Sequence, residues 1–486
     1  MNGHEVQPHF KPRLGLLDAT MIVAGSMVGS GIFIVSSYMV QDVGSAGWLM
    51  IAWILTALMT VTAALSYIEL SALFPKAGGT YIYLKEAYNP LIGFLYGWSF
   101  FAVIQTGMIA AVGVAFSKFA AYIFPSLSES HILIHAGFID VSAAQLFGIM
   151  QIIILSYVNT LGIQTGKIIQ DILTIIKLLM LLGLIVFGLF FAFDKNVWDA
   201  NWQHPFAILR HSASLPGYDG VHNYWTQVSG FAVFGAIAAA MVGAILTSDA
   251  WYGITFIAGE VKNPKRNVGL ALFLGTLIVT TLYCLCNIMY LAVLPLGQST
   301  ADTGSIAFAA DNRVGVAAAL QIFGVKSAIV VAFLIMLSNL GCNNGLVISG
   351  ARVYYAMAQD GLFFKSVGRL NRAAVPANGI WLQCLVAILL CLSGKYGDLL
   401  DYVSFVVMLF YIITIWGIFR LRKRLPDAER PYKAFGYPVL PLIYIILAAV
   451  FCISLIIYRP DFTVRGLLIV LSGIPVYYVM NRRKRK

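Results

Sequence analysis

Charge is scarce in this chain. Of its 486 residues only 11% are Asp, Glu, Lys or Arg and 60% are hydrophobic, with a mean hydropathy of +0.83. Soluble globular domains carry about 25% charged residues, so a water-soluble protein is excluded and a polytopic membrane protein remains. Histidine is sparse too: all seven lie in the N-terminal stretch or between apolar runs, none inside one. HILIH at 131–135 has the i, i+4 spacing of two helical metal ligands, but with no further ligands a plain loop is expected. No Asn-x-Ser/Thr acceptor occurs, which excludes N-glycosylation. The six cysteines (Cys284, Cys286, Cys342, Cys384, Cys391 and Cys452) all fall in or beside apolar runs, so no disulfide framework is expected outside the membrane. The opening MNGHEVQPHFKPR has no cleavable apolar core, and no signal peptide is expected. No P-loop and no paired carboxylates interrupt the apolar runs, which leaves a membrane enzyme or receptor as a remote alternative.

What the chain does have is twelve apolar runs, at 16–40, 47–70, 92–123, 143–161, 168–193, 231–258, 269–294, 327–350, 379–394, 400–420, 438–457 and 463–480. They are called spans one to twelve below. With the N-terminus placed in the cytoplasm, inner segments hold 23 of the 32 Lys and Arg residues, outer loops 7, and two (Lys118 and Lys177) fall inside spans. The positive-inside rule therefore puts both termini in the cytoplasm. The basic tail RRKRK reads as a topology anchor and lipid-headgroup contact, so the net charge of +11 does not call for nucleic acid.

The informative residues are those a bilayer should reject. VAGSMVGSGIF at 23–33 places three glycines and two serines between Gly25 and Phe33 of span one. Each glycine costs about 1 kcal/mol in a helix interior. A close-packing face is one reading; a helix break is the other, favoured because the glycines cluster around one point. ILTSDAWYGITF at 245–256 supplies a matching interruption in span six, with Asp249 near mid-span beside Thr247 and Ser248. Paired interruptions in corresponding spans point to a transporter binding site. Such breaks expose orphan N–H groups at the start of one half-helix and orphan carbonyls at the end of the other. A zwitterionic amino acid offers a carboxylate to the first and an ammonium to the second. Lys177 is the third anomaly, about ten residues in from Lys167 and thus roughly 15 Å deep, too far to snorkel. It reads as a structural tether, a fixed internal cation or a proton carrier. Lys118, near the outer end of span three, can snorkel.

Five stretches in order, GSGIF (29–33), YIELSALFPKAGGTYIYLKEAY (67–88), QDILTIIK (170–177), EVKNPKRN (260–267) and RLPDAERPYK (424–433), carry a resemblance over nearly the whole chain. The chain resembles the amino acid–polyamine–organocation superfamily and, within it, the L-type amino acid transporter family. The resemblance implies an all-α polytopic membrane protein of twelve transmembrane helices. Its leucine-transporter-type fold is a 5+5 inverted repeat (1–193, with the N-terminal tail, and 194–421) plus two C-terminal helices and a basic tail (422–486), with helices one and six broken. It implies that the backbone of Gly29, Ser30 and Gly31 binds the substrate carboxylate, while carbonyls of Met27, Val28 and Leu246 receive the ammonium. Leu246, Asp249, Ala250 and Trp251 would form the gate and pocket. Lys177 would bridge to the Gly25 carbonyl and to span eight near Ser338, filling the place of a sodium ion.

The implied activity is sodium-independent exchange of neutral L-amino acids by alternating access; the alternative is a proton-coupled symporter with Lys177 or Asp249 titrating. No catalytic residue, metal or cofactor is implied. Similar L-type transporters carry an aromatic gate where Leu246 stands and a glycine where Asp249 stands. Asp249 would favour cationic substrates if it faces the pocket, and neutral ones if helix-end N–H groups hold it. The loop at 124–142 has no cysteine, so no disulfide-linked heavy chain is expected. The expected partners are amino acid substrates and the lipid bilayer, in the plasma membrane, as in a bacterial inner membrane.

Overall fold

A computed structural model describes residues 10, 12–136, 139–214, 224–297, 304–393, 396–458 and 460–485. Lys11, Lys395, Arg459 and Lys486, counted above for topology, lie outside the described residues. Among the described residues, ten helices are long and apolar enough to cross a bilayer: Leu16–Phe33 counted through its break, Ala46–Leu73, Pro90–Ile123, Ala143–Thr160, Ile163–Phe191, Pro264–Val293, Val325–Gln359, Val403–Arg424, Val439–Tyr458 and Thr463–Asn481. Two shorter apolar helices, Ala232–Thr247 and Ala377–Leu392, occupy the sixth and ninth places. The result is an all-α polytopic bundle in which each apolar run of the sequence becomes a helix.

Several hydroxyl side chains inside these helices bond back to their own backbones, which suits a bilayer. In span two Thr60 Oγ1 donates to Thr56 O (2.9 Å) and Ser66 Oγ to Thr62 O (2.9 Å). In span seven Thr276 and Thr280 do the same toward Leu272 and Thr276. Span five shows how a helix divides its faces. Ile168, Ile172, Ile175, Leu179, Leu182 and Val186 are exposed at alternating spacings of four and three, the stripe presented to lipid. Gln170, Thr174, Lys177, Leu181 and Leu184 repeat the same spacing on the opposite, buried face. Span one packs tightly against that face: a Cβ on Gly25 would overlap Gln170 Nε2 and Thr174 Oγ1.

Several features differ from the expectation. Span six resumes after its break for only one turn, Gly253–Phe256, followed by a 3₁₀ turn at Ala258–Glu260. Span three carries a π turn at Phe100–Ile104 between Pro90–Ser99 and Gln105–Ile123. A further helix, Thr80–Ala87, follows Gly78 and Gly79, both at positive φ. HILIH is not a plain loop: Ile132–Ala136 pairs antiparallel with Ile139–Ser142, so His135 lies in a strand and His131 just before it. Short segments outside the spans add helices Lys195–Asn201 and Val314–Phe323 and a second strand pair, Leu209–His211 with Trp225–Gln227. Hydropathy misses these because they are short and carry no membrane-length run.

Three of the quoted motifs, around Glu69, Glu260 and the segment after Arg422, meet at the end of the bundle that carries Leu14. Glu69 of YIELS accepts from Arg422 Nε (3.0 Å) and Nη2 (2.7 Å) and from the Ala434 N–H (2.7 Å). Arg13 N and Leu14 N donate to Glu260 O, and Lys262 N returns a bond to Leu14 O. Arg352, 1% exposed, donates from Nε to Oε1 of Glu260, itself 2% exposed, at 3.0 Å. Removing one partner of a buried ion pair leaves an uncompensated charge and costs about 3–5 kcal/mol. Arg352→Met is therefore expected to lower the melting temperature of the detergent-purified protein, and Glu260→Gln on top of it to restore part of the loss. An unchanged melting temperature in Arg352→Met would show that the pair is not held in the interior.

Candidate functional site

The first helix of span one, Leu16–Met27, ends where Val28 turns extended (φ −76, ψ 95). Its last bond is Val28 N–H to Ala24 O. A 3₁₀ turn at Gly31–Phe33 follows, and the helix resumes at Val35–Val43. Among the described residues, the N–H groups of Gly29, Ser30 and Gly31 meet no acceptor in the protein. Span six breaks at Ser248–Tyr252, with Ala250 forced to φ 67. A left-handed alanine costs about 1 kcal/mol or more, so the backbone is strained at this break.

The two breaks lie against each other. Only glycine allows this, since a Cβ on Gly31 would overlap Thr247 Oγ1, with Thr247 Cβ at 2.9 Å. Tyr283 of span seven braces both, its hydroxyl donating to Met27 O (2.9 Å) and Thr247 O (3.4 Å). Between them is a small, tight cavity of about 30 Å³. Span one lines it with Ser26, Met27, Gly29, Ser30 and Gly31, and span six with Leu246, Thr247, Asp249 and Ala250. Span three contributes Met108, Ala111 and Val112, and span eight Cys342 and Leu346.

Of the residues singled out from sequence, the structure gathers Met27, Gly29, Ser30, Gly31, Leu246, Asp249 and Ala250 around this one cavity. Trp251 is elsewhere. It packs against Tyr67 and Tyr411 and lines a second, smaller cavity of about 10 Å³ with Thr56, Thr60 and Tyr444. The turn that aims Asp249 and Ala250 inward carries the next side chain outward. Asp249 borders both cavities; Tyr411 OH donates to its Oδ1, and Oδ2 is buried with no partner among the described residues.

Val28 also departs from its expected place. Its carbonyl already accepts from Lys177 Nζ (2.8 Å) and Ser338 Oγ (3.2 Å), so it is not available to an ammonium in the cavity. Lys177, fully buried, also donates to Gly25 O and, at 3.4 Å, to Ser338 O. Its ammonium thus sits among three carbonyls, two from span one and one from span eight.

Sequence reasoning did not find Met108, Ala111, Val112, Cys342 or Leu346. They are small or apolar residues inside ordinary spans, and nothing in their type or spacing separates them from lipid-facing neighbours. Tyr283 and Tyr411 were legible in principle, as polar-tipped rings near mid-span whose hydroxyls need partners. The Gly31–Thr247 contact gives a sharp prediction. Gly31→Ala is expected to weaken binding of a neutral amino acid by the purified protein at least tenfold. Gly183→Ala, where nothing lies within 4 Å of the added Cβ, is expected to leave it unchanged. Equal affinities in the two variants would mean the breaks do not need to touch.

Comparison with known proteins gives the same reading. A family model described as amino acid permease matches residues 14–480. The serine/threonine exchanger SteT of Bacillus subtilis is 28% identical over 484 residues, covering 99% of each chain. The large neutral amino acids transporter small subunit 2 of Oryctolagus cuniculus is 28% identical over 96% of this chain and 80% of its own. The b(0,+)-type amino acid transporter 1 of Mus musculus is 28% identical over 96% and 87%. With the match running through nearly every span and two broken helices facing one cavity, this chain belongs to the amino acid permease family: it is a multi-pass membrane transporter of amino acids, not an enzyme.

Proposed function

We propose that this protein exchanges neutral L-amino acids across the plasma membrane, independently of sodium, with both termini in the cytoplasm. The observation that carries the reading is the row of unpaired N–H groups at Gly29, Ser30 and Gly31 opening on a cavity closed by the break in span six. A carboxylate there receives several main-chain donors at the positive end of the following helix turn. The ammonium then faces the Met27 and Leu246 carbonyls, with Asp249 beside them. Every amino acid carries both groups, so this clamp reads the common part and leaves the side chain to Leu246, Met108, Val112 and Leu346. Those are apolar walls, which favours neutral substrates. Asp249 borders the same cavity with Oδ1 held by Tyr411 and Oδ2 unpartnered among the described residues, so the preference for neutral substrates rests on the apolar walls.

Sodium independence follows from Lys177. The three carbonyls around its ammonium are hard oxygen ligands of the kind a sodium ion would use, and a tethered cation holds their place. A cation that cannot leave cannot be co-transported, so net movement follows amino acid gradients. The absence of cysteine at 124–142 argues for a carrier without a disulfide-linked heavy chain.

Proteoliposomes test this directly. Internal unlabelled neutral amino acid is expected to accelerate uptake of external label at least tenfold, equally in sodium and in choline. An imposed pH gradient alone is expected to drive no accumulation. Concentrative uptake under that gradient would replace the exchanger with a proton symporter. Lys177→Ala is expected to cut exchange at least twentyfold at equal reconstitution, because the carbonyls of Gly25, Val28 and Ser338 lose their common donor. Unchanged exchange in that variant would remove Lys177 from the account.

A further inference from the structure

Span eight runs alongside the break in span one and meets it with three side chains on one face. Ser338 Oγ donates to Val28 O (3.2 Å), and Cys342 Sγ to Ser26 O (3.0 Å). Asn339 belongs to the same face but makes no such bond. It is 0% exposed, and neither its Nδ2 nor its Oδ1 has a hydrogen-bond partner among the described residues. Leaving a buried polar group unpaired costs about 1–3 kcal/mol, and such groups in folded proteins call for a missing ligand, water or ion. Here a single side chain carries two.

Its place is fixed by Gly29. A Cβ on that residue would lie 3.8 Å from Asn339 Oδ1 and 3.1 Å from Cys342 Sγ. Asn339 therefore stands beside Gly29, the first of the three residues with free N–H groups, just behind the residues that line the cavity. Ser338 and Cys342 take up carbonyls on the helix-end side of the break, Val28 and Ser26. Asn339 sits where the backbone offers donors, and a primary amide adds two more N–H groups there.

We propose that Asn339 is the side-chain member of the carboxylate clamp, its Nδ2 donating to the substrate carboxylate that the Gly29–Gly31 backbone holds. The inference builds on the reading of this cavity as the amino acid site. It gives span eight a direct hold on substrate, where otherwise only span one grips the carboxylate. The carrier then favours α-amino acids over the matching amino alcohols by more than main-chain donors alone provide.

Half-saturation for external alanine and inhibition by alaninol, which lacks the carboxylate, are measured in the exchange assay for wild type, Asn339→Asp, Asn339→Ala and Asn339→Ser. Asn339→Asp sets a like charge beside the carboxylate and is expected to raise half-saturation at least tenfold. Asn339→Ala is expected to raise it three- to tenfold, and Asn339→Ser, which keeps a donor, to fall between Ala and wild type. Maximal rates stay within twofold and the alaninol inhibition constant stays constant across the set. Unchanged half-saturation, as expected if Asn339 binds only a water, overturns the proposal while exchange by the wild type stands. Alaninol inhibition shifting in step with alanine overturns it too, because a general distortion of the cavity would do that. If Asn339→Asp fails to elute as a single species in detergent, the Ala and Ser variants decide. If the wild type binds alanine without exchanging it, the exchanger reading falls, and the same affinity ranking read by thermal-shift titration still decides the role of Asn339.

Discussion

Everything in this molecule follows from a rule of the bilayer: a main-chain N–H or C=O buried in an apolar medium must find a partner. Ten of the twelve spans obey it by staying helical. Spans one and six do not, and their loose ends are placed where a ligand can complete them. The contact between Gly31 and Thr247 is what makes the exception tolerable. It presses two interruptions together, so that donors from one and acceptors from the other enclose the same small space. Had either break faced lipid, each unpaired group would cost several kcal/mol.

Tolerating two broken helices requires bracing, and the structure supplies it from three directions. Tyr283 of span seven holds the carbonyls of Met27 and Thr247 on either side of the cavity. Lys177 of span five gathers carbonyls from spans one and eight around one charge. Below it, Asn344 donates to Gln170 Oε1 (2.9 Å) and Asn159 donates to Asn344 Oδ1 (2.8 Å), a chain of amides joining spans four, five and eight. These polar groups sit on buried helix faces and bond to one another, which is how a membrane protein makes polarity a source of specific packing. In the proposed reading, main-chain recognition and side-chain selectivity are thereby kept apart: the breaks would hold the amino acid backbone, while apolar residues of spans three, six and eight form the remaining wall.

The sequence disclosed the parts of this design that violate lipid rules. Gly29, Ser30, Gly31, Asp249 and Lys177 each stand out against an apolar run, and the structure places all but Lys177 at the central cavity, with Lys177 just behind it. It was silent on Met108, Val112, Cys342 and Leu346, which obey the rules and are recruited only by tertiary packing. It misplaced Trp251, because a single left-handed residue at Ala250 decides which way the following side chain points, and no composition argument reaches a dihedral angle. It gave Val28 a free carbonyl that Lys177 and Ser338 already use, since spacing along one helix cannot say what a neighbouring helix will bring. Asn339 was visible as a polar residue in span eight, but its significance lies in the lack of a partner, a property of the folded state alone.

The most direct test of this account is an experimental structure with a neutral amino acid bound. The account predicts the α-carboxylate within about 3 Å of the main-chain nitrogens of Gly29, Ser30 and Gly31, with the ammonium turned toward Met27 and Leu246. An amino acid resting elsewhere, or a continuous helix through residues 27–35 in the bound state, would contradict it.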